Sequence, residues 1–127
     1  MSGYIEINAT DSVTVDGTSS TTAPSGIINR LSFGSGTAGD ITINTGSLNI
    51  IGNAQIGSLT FGQGNAGNVT VIAKDKVILS GISSGIFSLV APFGIGNAGN
   101  INITTDSLSL SDGAYFSSST FGIGNAG

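Results

Sequence analysis

Phe93-Gly94-Ile95-Gly96-Asn97-Ala98-Gly99, running on into Asn100-Ile101-Asn102-Ile103, is the stretch that decides the fold. Its glycine phrase, G-x-G-x-A-G behind a phenylalanine, occurs four times. The copies are Gly34–Gly39 after Phe33, Gly62–Gly67 after Phe61, Gly94–Gly99 after Phe93 and Gly122–Gly127 after Phe121. One copy alone has the glycine spacing of a dinucleotide-binding loop. That loop needs a helix behind it, because the pyrophosphate rests on the helix N-terminus. Here the phrase leads into period-two alternation, as in Asn68-Val69-Thr70-Val71, which is a strand signature. A single domain also has no use for four such loops. The phrase reads as a corner that requires glycine.

The last glycines of the copies fall at Gly39, Gly67, Gly99 and Gly127, so the steps are 28, 32 and 28 residues. Ser2-Gly3-Tyr4-Ile5-Glu6-Ile7 resembles the stretch after each phrase, which makes Gly3 the end of a truncated copy. Four units result: 4–39, 40–67, 68–99 and 100–127. Each carries three apolar segments in the same order. The first is Ile5/Ile7, Ile41/Ile43, Val69/Val71 and Ile101/Ile103; the second is Val13/Val15, Leu48/Ile50, Val77/Leu79 and Leu108/Leu110. The third is looser, with Ile28/Phe33, Ile56/Phe61, Phe87/Phe93 and Phe116/Phe121. Turn residues such as Asp16-Gly17, Gly52-Asn53, Ser80-Gly81 and Asp112-Gly113 separate the second segment from the third. A β-sandwich also spaces its strands by about 8–12 residues, but it does not need every strand type to return in one order at one long period. The pattern predicts an all-β, right-handed parallel β-helix: a solenoid of about four rungs of 28–36 residues, with three short strands each.

Composition narrows function. The 127 residues include no histidine, cysteine or tryptophan, and three basic residues stand against seven acidic ones, for a net charge of −4. Nucleic-acid binding relies on Lys and Arg contacts to phosphate, so this balance argues against it. Disulfides and thiolate metal sites are excluded by the lack of cysteine. No apolar run approaches the roughly 18–20 residues of a membrane span. The N-terminus lacks the basic and apolar regions of a signal peptide. The chain is expected to be a piece cut from a longer array, with uncapped ends that promote self-association.

Motifs that could carry chemistry read mostly as structure. Asn65, Asn97 and Asn125 share one repeat position, and Asp40, Asn68 and Asn100 another. Stacked amides at such positions form ladders along a solenoid. Calcium is the rival ligand, but the glycine-aspartate nonapeptide is absent, and neutral asparagines are poor anchors for a hard cation. Polysaccharide-cleaving β-helices need two carboxylates set across one bond. The best charged cluster, Lys74-Asp75-Lys76, is one solvated turn. Outward threonines (Thr42, Thr45, Thr70, Thr104) do not form the paired rows of an ice-binding face. No catalytic residue, metal site or cofactor is expected. The exceptions to regularity are two longer junctions between the second and third segments. Unit one inserts Thr18-Ser19-Ser20-Thr21-Thr22-Ala23-Pro24-Ser25, and unit three gains four residues near Ile82-Ser83-Ser84-Gly85. Loops on one side of a solenoid often make its contacts, so Thr18, Ser19, Ser20, Thr21, Thr22, Ser25, Ser83 and Ser84 are the candidate contact residues.

The phrases quoted resemble the long repeats of filamentous-haemagglutinin-type exoproteins, the passengers of two-partner secretion. The pattern is G-N-A-G-[ND]-[IV]-x-[IV], then S-L-x-L-S-x-G-A, then S-x-T-F-G. Unit four has it nearly whole, in Gly96–Ile101, Ser107–Ala114 and Ser119–Gly122. Units two and three match less closely, and unit one departs most in its inserted loop. The resemblance implies a β-helical shaft in a large adhesin-like protein, secreted or held at the outer surface of a Gram-negative bacterium. It also implies a structural and adhesive role, with a host or cell-surface glycan or protein as partner. The family's secretion domain has no counterpart here. A fragment of a carbohydrate-active β-helix enzyme is the alternative.

Overall fold

The computed structural model describes residues 3–18 and 25–127. Their strands are, in chain order, β1 (Ile5–Asn8), β2 (Ser12–Asp16), β3 (Ser25–Leu31), β4 (Ile41–Ile51), β5 (Ala54–Thr60), β6 (Val69–Ser80), β7 (Gly85–Val90), β8 (Ile101–Ser111) and β9 (Tyr115–Thr120). Each strand pairs in parallel with its equivalent one rung away. One sheet runs β1-β4-β6-β8, with β2 also on β4, and the other runs β3-β5-β7-β9. The chain is an all-β parallel solenoid of about three turns, its strands stacked four deep, with no helix among the described residues. Parallel neighbours need a long return path. The rest of each rung supplies it.

Period two sets the faces. Ile41, Ile43, Leu48 and Ile50 are buried in β4, and Val69, Val71, Val77 and Leu79 in β6, while their neighbours point outward. Register places like on like: Ile5, Ile41, Val69 and Ile101 form one column, and Val15, Ile50, Leu79 and Leu110 another. Branched side chains therefore pack along the axis as well as across the coil.

Three expectations are refined. The first two apolar segments lie on one continuous strand in β4, β6 and β8, bent by register shifts between Thr45 and Ser47 and between Ala73 and Lys76. Only the first rung keeps them apart, as β1 and β2. The third face is a column of single bridges, Ser35–Gln63–Ile95–Ile123, at the glycine phrases. In the third apolar segment Ile56 and Phe116 face inward as expected, but rungs one and three run at a different phase. Ile27, not Ile28, joins the core column with Ile56, Ile86 and Phe116. Phe87 instead lies against Gly57, where an added Cβ would meet its ring at 2.6 Å. An aromatic ring thus fills the place of a missing side chain.

The extra length of unit three is not one insertion. Ala73 pairs with Thr45 but Lys76 with Ser47, which adds a residue at the bulge. Ser80 pairs with Ile51 but Gly85 with Gln55, which adds one at the junction. Val90 pairs with Thr60 but Ile95 with Gln63, so the last two lie near Ala91-Pro92. In unit one the long junction falls where expected, between Asp16 and Ser25.

The glycine phrase is a place of close stacking. At Gly64, whose φ is +145°, a Cβ would sit 1.3 Å from the Gly36 carbonyl oxygen of the rung before. At Gly67 it would sit 2.1 Å from the Gly39 oxygen. Backbone passes directly over backbone, and only glycine leaves room.

Candidate functional site

The junction between β6 and β7 holds the candidates Ser83 and Ser84. Ser84 is fully buried. Its hydroxyl donates to the Ser80 carbonyl at 2.9 Å and accepts the Asn53 N–H at 3.0 Å, which closes the turn and ties it to the rung before. Ser83 is exposed with φ of +65°, and Asn53 and Asp112 take the same left-handed conformation at this junction in rungs two and four. Beside it Ile82 is 80% exposed. Thr18 and Ser25 bracket the corresponding junction of rung one. Thr18 is exposed and its N–H donates to the Asp16 carboxylate at 2.8 Å. Bonds from the Thr18 side chain and then its backbone hold the Asp16 carboxyl below its ordinary value. Ser19, Ser20, Thr21 and Thr22 lie outside the described residues. At this junction Thr18, Ile82 and Ser83 are exposed, Ser25 is half-buried at the start of β3, and Ser84 is spent on the fold.

The Asx columns form ladders of a different kind from stacked amides. Each side-chain oxygen accepts the backbone N–H of its counterpart one rung on. Asp40 takes the N–H of Asn68 at 2.7 Å, and Asn68 that of Asn100 at 2.8 Å. Asn65 takes that of Asn97 at 2.8 Å, and Asn97 that of Asn125 at 2.9 Å. At these corners, where the strands have ended, an Asx side chain supplies the acceptor that a ladder would otherwise provide.

A third polar column escapes the sequence reading. Ser58, Ser88 and Ser118 occupy one inward-facing position, and Asn29 is their equivalent in rung one. Ser88 donates to the Gly67 carbonyl at 2.9 Å and accepts the Gly99 N–H at 2.8 Å. Ser118 repeats this with Gly99 and Gly127, at 2.8 and 2.9 Å. Ser58 accepts from Gly67 at 2.8 Å and donates to Gly39 at 3.4 Å. Asn29 donates from its amide to the Gly3 carbonyl, so Gly3 holds the place of a phrase-ending glycine. Each hydroxyl thus clamps the last glycine of its own phrase to that of the phrase before. Among the described residues no buried side-chain polar atom lacks a hydrogen-bond partner.

The charged cluster Lys74-Asp75-Lys76 sits on the exposed bulge of β6, where Asp75 accepts the Ser47 hydroxyl at 3.3 Å. Lys74 lines a shallow recess of about 370 Å³ with Asn8, Asn44, Gly46 and Ile72. Of the threonines expected outward, Thr45 is instead buried, its hydroxyl donating to the Ser47 carbonyl at 3.2 Å at the bend of β4. Thr42 and Thr70 stack on each other but between Glu6 and Asn102, while Thr104 stacks on Ile72. The four phenylalanines of the phrase point to solvent instead of the core, and Phe33, Phe61 and Phe93 line a second open groove of about 440 Å³. Among the described residues no helix is long and apolar enough to cross a membrane. No family model, curated protein or solved structure matches the chain.

Proposed function

We propose that the chain is a non-catalytic shaft segment of a large exoprotein of the filamentous-haemagglutinin type. In this reading it is secreted to, or held at, the outer surface of a Gram-negative cell, where it spaces and presents adhesive surface to a glycan or protein. The observation that carries the reading is the use made of the polar side chains. The Asx columns at the corners and the serine column inside are spent on joining each rung to the next. Side chains so employed give stiffness along the axis, which a shaft needs and a catalytic cleft does not. The phrases shared with the exoprotein repeats, strongest in rung four, support the family.

Beads coated with the chain should be retained on glycan- or cell-coated glass above beads coated with an inert protein. Polysaccharides incubated with the chain should release reducing ends only at the rate of the buffer control. Retention equal to the inert protein would remove the adhesive role. Cleavage above background would replace the shaft with an enzyme.

A further inference from the structure

A strand hydrogen-bonds along two edges, and every inner strand of this stack uses both. β8 and β9 have a neighbour on one edge only, and so do β1, β2 and β3 at the opposite face. The same two layers carry the apolar side chains that their columns leave uncovered. Leu108 and Leu110 are 47% and 39% exposed, while Val77 and Leu79, next in their columns, are fully buried. Val13 and Val15 are half-buried on the opposite face. A layer of 28 residues about 4.7–4.9 Å deep has, at ordinary protein density, a face of roughly 700 Å². That approaches the about 800 Å² each partner gives to a stable specific interface.

The two faces are complements and not copies. Asp40 and Asn68 each accept the N–H of the equivalent residue one rung on, at 2.7 and 2.8 Å, and Asn100 is the next acceptor of that column. Rung one has Tyr4 at this position, which brings a backbone N–H and no Asx oxygen. We propose that the chain stacks head to tail, the face of rung four on the face of rung one of a second copy, so that the parallel columns run on through the contact. The Tyr4 N–H of the second copy then donates to the Asn100 side chain. The Ile101 N–H donates to the Tyr4 carbonyl, as Val69 does to Asn100 at 2.9 Å. Leu108 and Leu110 close on Val13 and Val15. Gly127 and Gly3 hold the same place in the repeat, so the Gly127 carbonyl replaces that of Gly3 on the Asn29 amide. Two rung-four faces brought together would set acceptor against acceptor at the Asn100 corner, which favours the parallel order. A contact between unlike surfaces does not close on itself, so it builds rods and not dimers. One interaction opposes it. Asp11 and Asp106 each precede the column Ser12–Ser47–Lys76–Ser107, so stacking brings their carboxylates together between copies of net charge −4. Salt screens that repulsion. The self-association expected of open ends thereby acquires a direction and a salt dependence.

Sedimentation velocity of the whole chain over a series of concentrations, in low and in high salt, tests the stack. Larger species are expected as concentration rises, and more of them in high salt. Asp106→Lys makes the opposed pair attractive, so association should begin at about fivefold lower concentration in low salt and gain nothing from added salt. Leu108→Lys carries a charge that reaches water only in the single chain, and it should sediment as one 12.5 kDa species. Direction is read by disulfides, since the chain has no cysteine of its own. S12C and S107C, made separately, mixed and oxidised, place their thiols in neighbouring strands about 4.7–4.9 Å apart, within disulfide reach. Mixed S12C–S107C pairs should exceed both like pairs. One 12.5 kDa species at every concentration and salt would overturn the stack. So would an excess of S107C–S107C pairs, or a folded Leu108→Lys variant that associates as the parent does. Should Leu108→Lys lose its strand signal in circular dichroism, the Asp106→Lys shift and the disulfide pairing decide.

Discussion

Rungs two and three and rungs one and four share one sequence pattern but not one environment. Ile50 and Leu79 are fully buried in the inner rungs, while Leu110, in the same column, is 39% exposed at one end. Leu108 is 47% exposed although its neighbours in register, Val77 and Leu48, are fully buried. At the other end Ile5, Ile7, Val13 and Val15 are only half-buried. The side chains hardly differ. What differs is the presence of a rung on both sides. In this architecture a residue is buried by its counterparts above and below, so stability belongs to the interfaces between rungs more than to the rungs themselves.

The sharpest way to break the inner stack is at a corner. Gly64→Ala places a methyl on the Gly36 carbonyl oxygen and imposes an unfavourable φ. Strain and overpacking together cost about 3–5 kcal/mol, enough to lose a cooperative urea transition. Gly34→Ala is the control. Nothing lies within 4 Å of its added Cβ, so only the φ of +96° opposes it, at about 1–2 kcal/mol. If both variants unfold at the same urea concentration, the close stacking of the phrases is not what demands glycine.

Next in size is the comparison within one hydrophobic column. Leu79→Ala should cost about 2–5 kcal/mol, because two neighbouring rungs hold the cavity open. Leu110→Ala should cost about 1 kcal/mol, since part of that side chain is already in water. Urea midpoints of the two variants measure the difference directly. Equal losses would mean that the end rung is covered in solution.

Rung boundaries and strand faces are legible in the chain because both are local. The glycine phrase marks the boundary, and period two marks the face. The long junction of rung one, between Asp16 and Ser25, is equally plain. Placement of the extra residues of rung three is not, since Ala73–Lys76, Gly81–Ser84 and Ala91–Gly94 are all tolerant of insertion and only register locates the gaps. The phenylalanines mislead by type. An aromatic residue is taken for core, but each stands immediately before a glycine turn that carries it to the outer side. The serine column can be found by counting alternate positions through Ile56, Ser58 and Thr60, which puts Ser58 inside. Its partner, a glycine nine residues on, belongs to the rung's close and is visible only in three dimensions.

The serine column then gives a polar form of the same test. Ser88→Ala leaves the buried Gly67 carbonyl and the half-buried Gly99 N–H without their bond, at about 1–3 kcal/mol. Ser118→Ala removes the equivalent pair where water can substitute, and should cost less than half as much. Hydrogen exchange at the Gly99 and Gly127 amides reads each clamp separately. Faster exchange at Gly99 in the Ser88 variant, with little change at Gly127, is the expected pattern.

The smallest effect lies at an end, where charge acts in place of burial. Asp16 accepts the Thr18 N–H and is held below the ordinary carboxylate value by the Thr18 side chain and backbone. Because its carboxyl is more acidic folded than unfolded, it stabilises the junction of rung one above the ordinary carboxylate range. That contribution is lost as pH falls through the lowered value. Asp16→Asn should therefore unfold slightly earlier than the parent in urea at neutral pH, and together with it in strong acid. The residue is fully exposed, so the difference should shrink with added salt. Burial differences between inner and end rungs have no such dependence. A pH-independent loss in Asp16→Asn would mean that the carboxylate's charge contributes nothing and that uncharged hydrogen bonding closes this junction, as the Ser84 hydroxyl does in rung three.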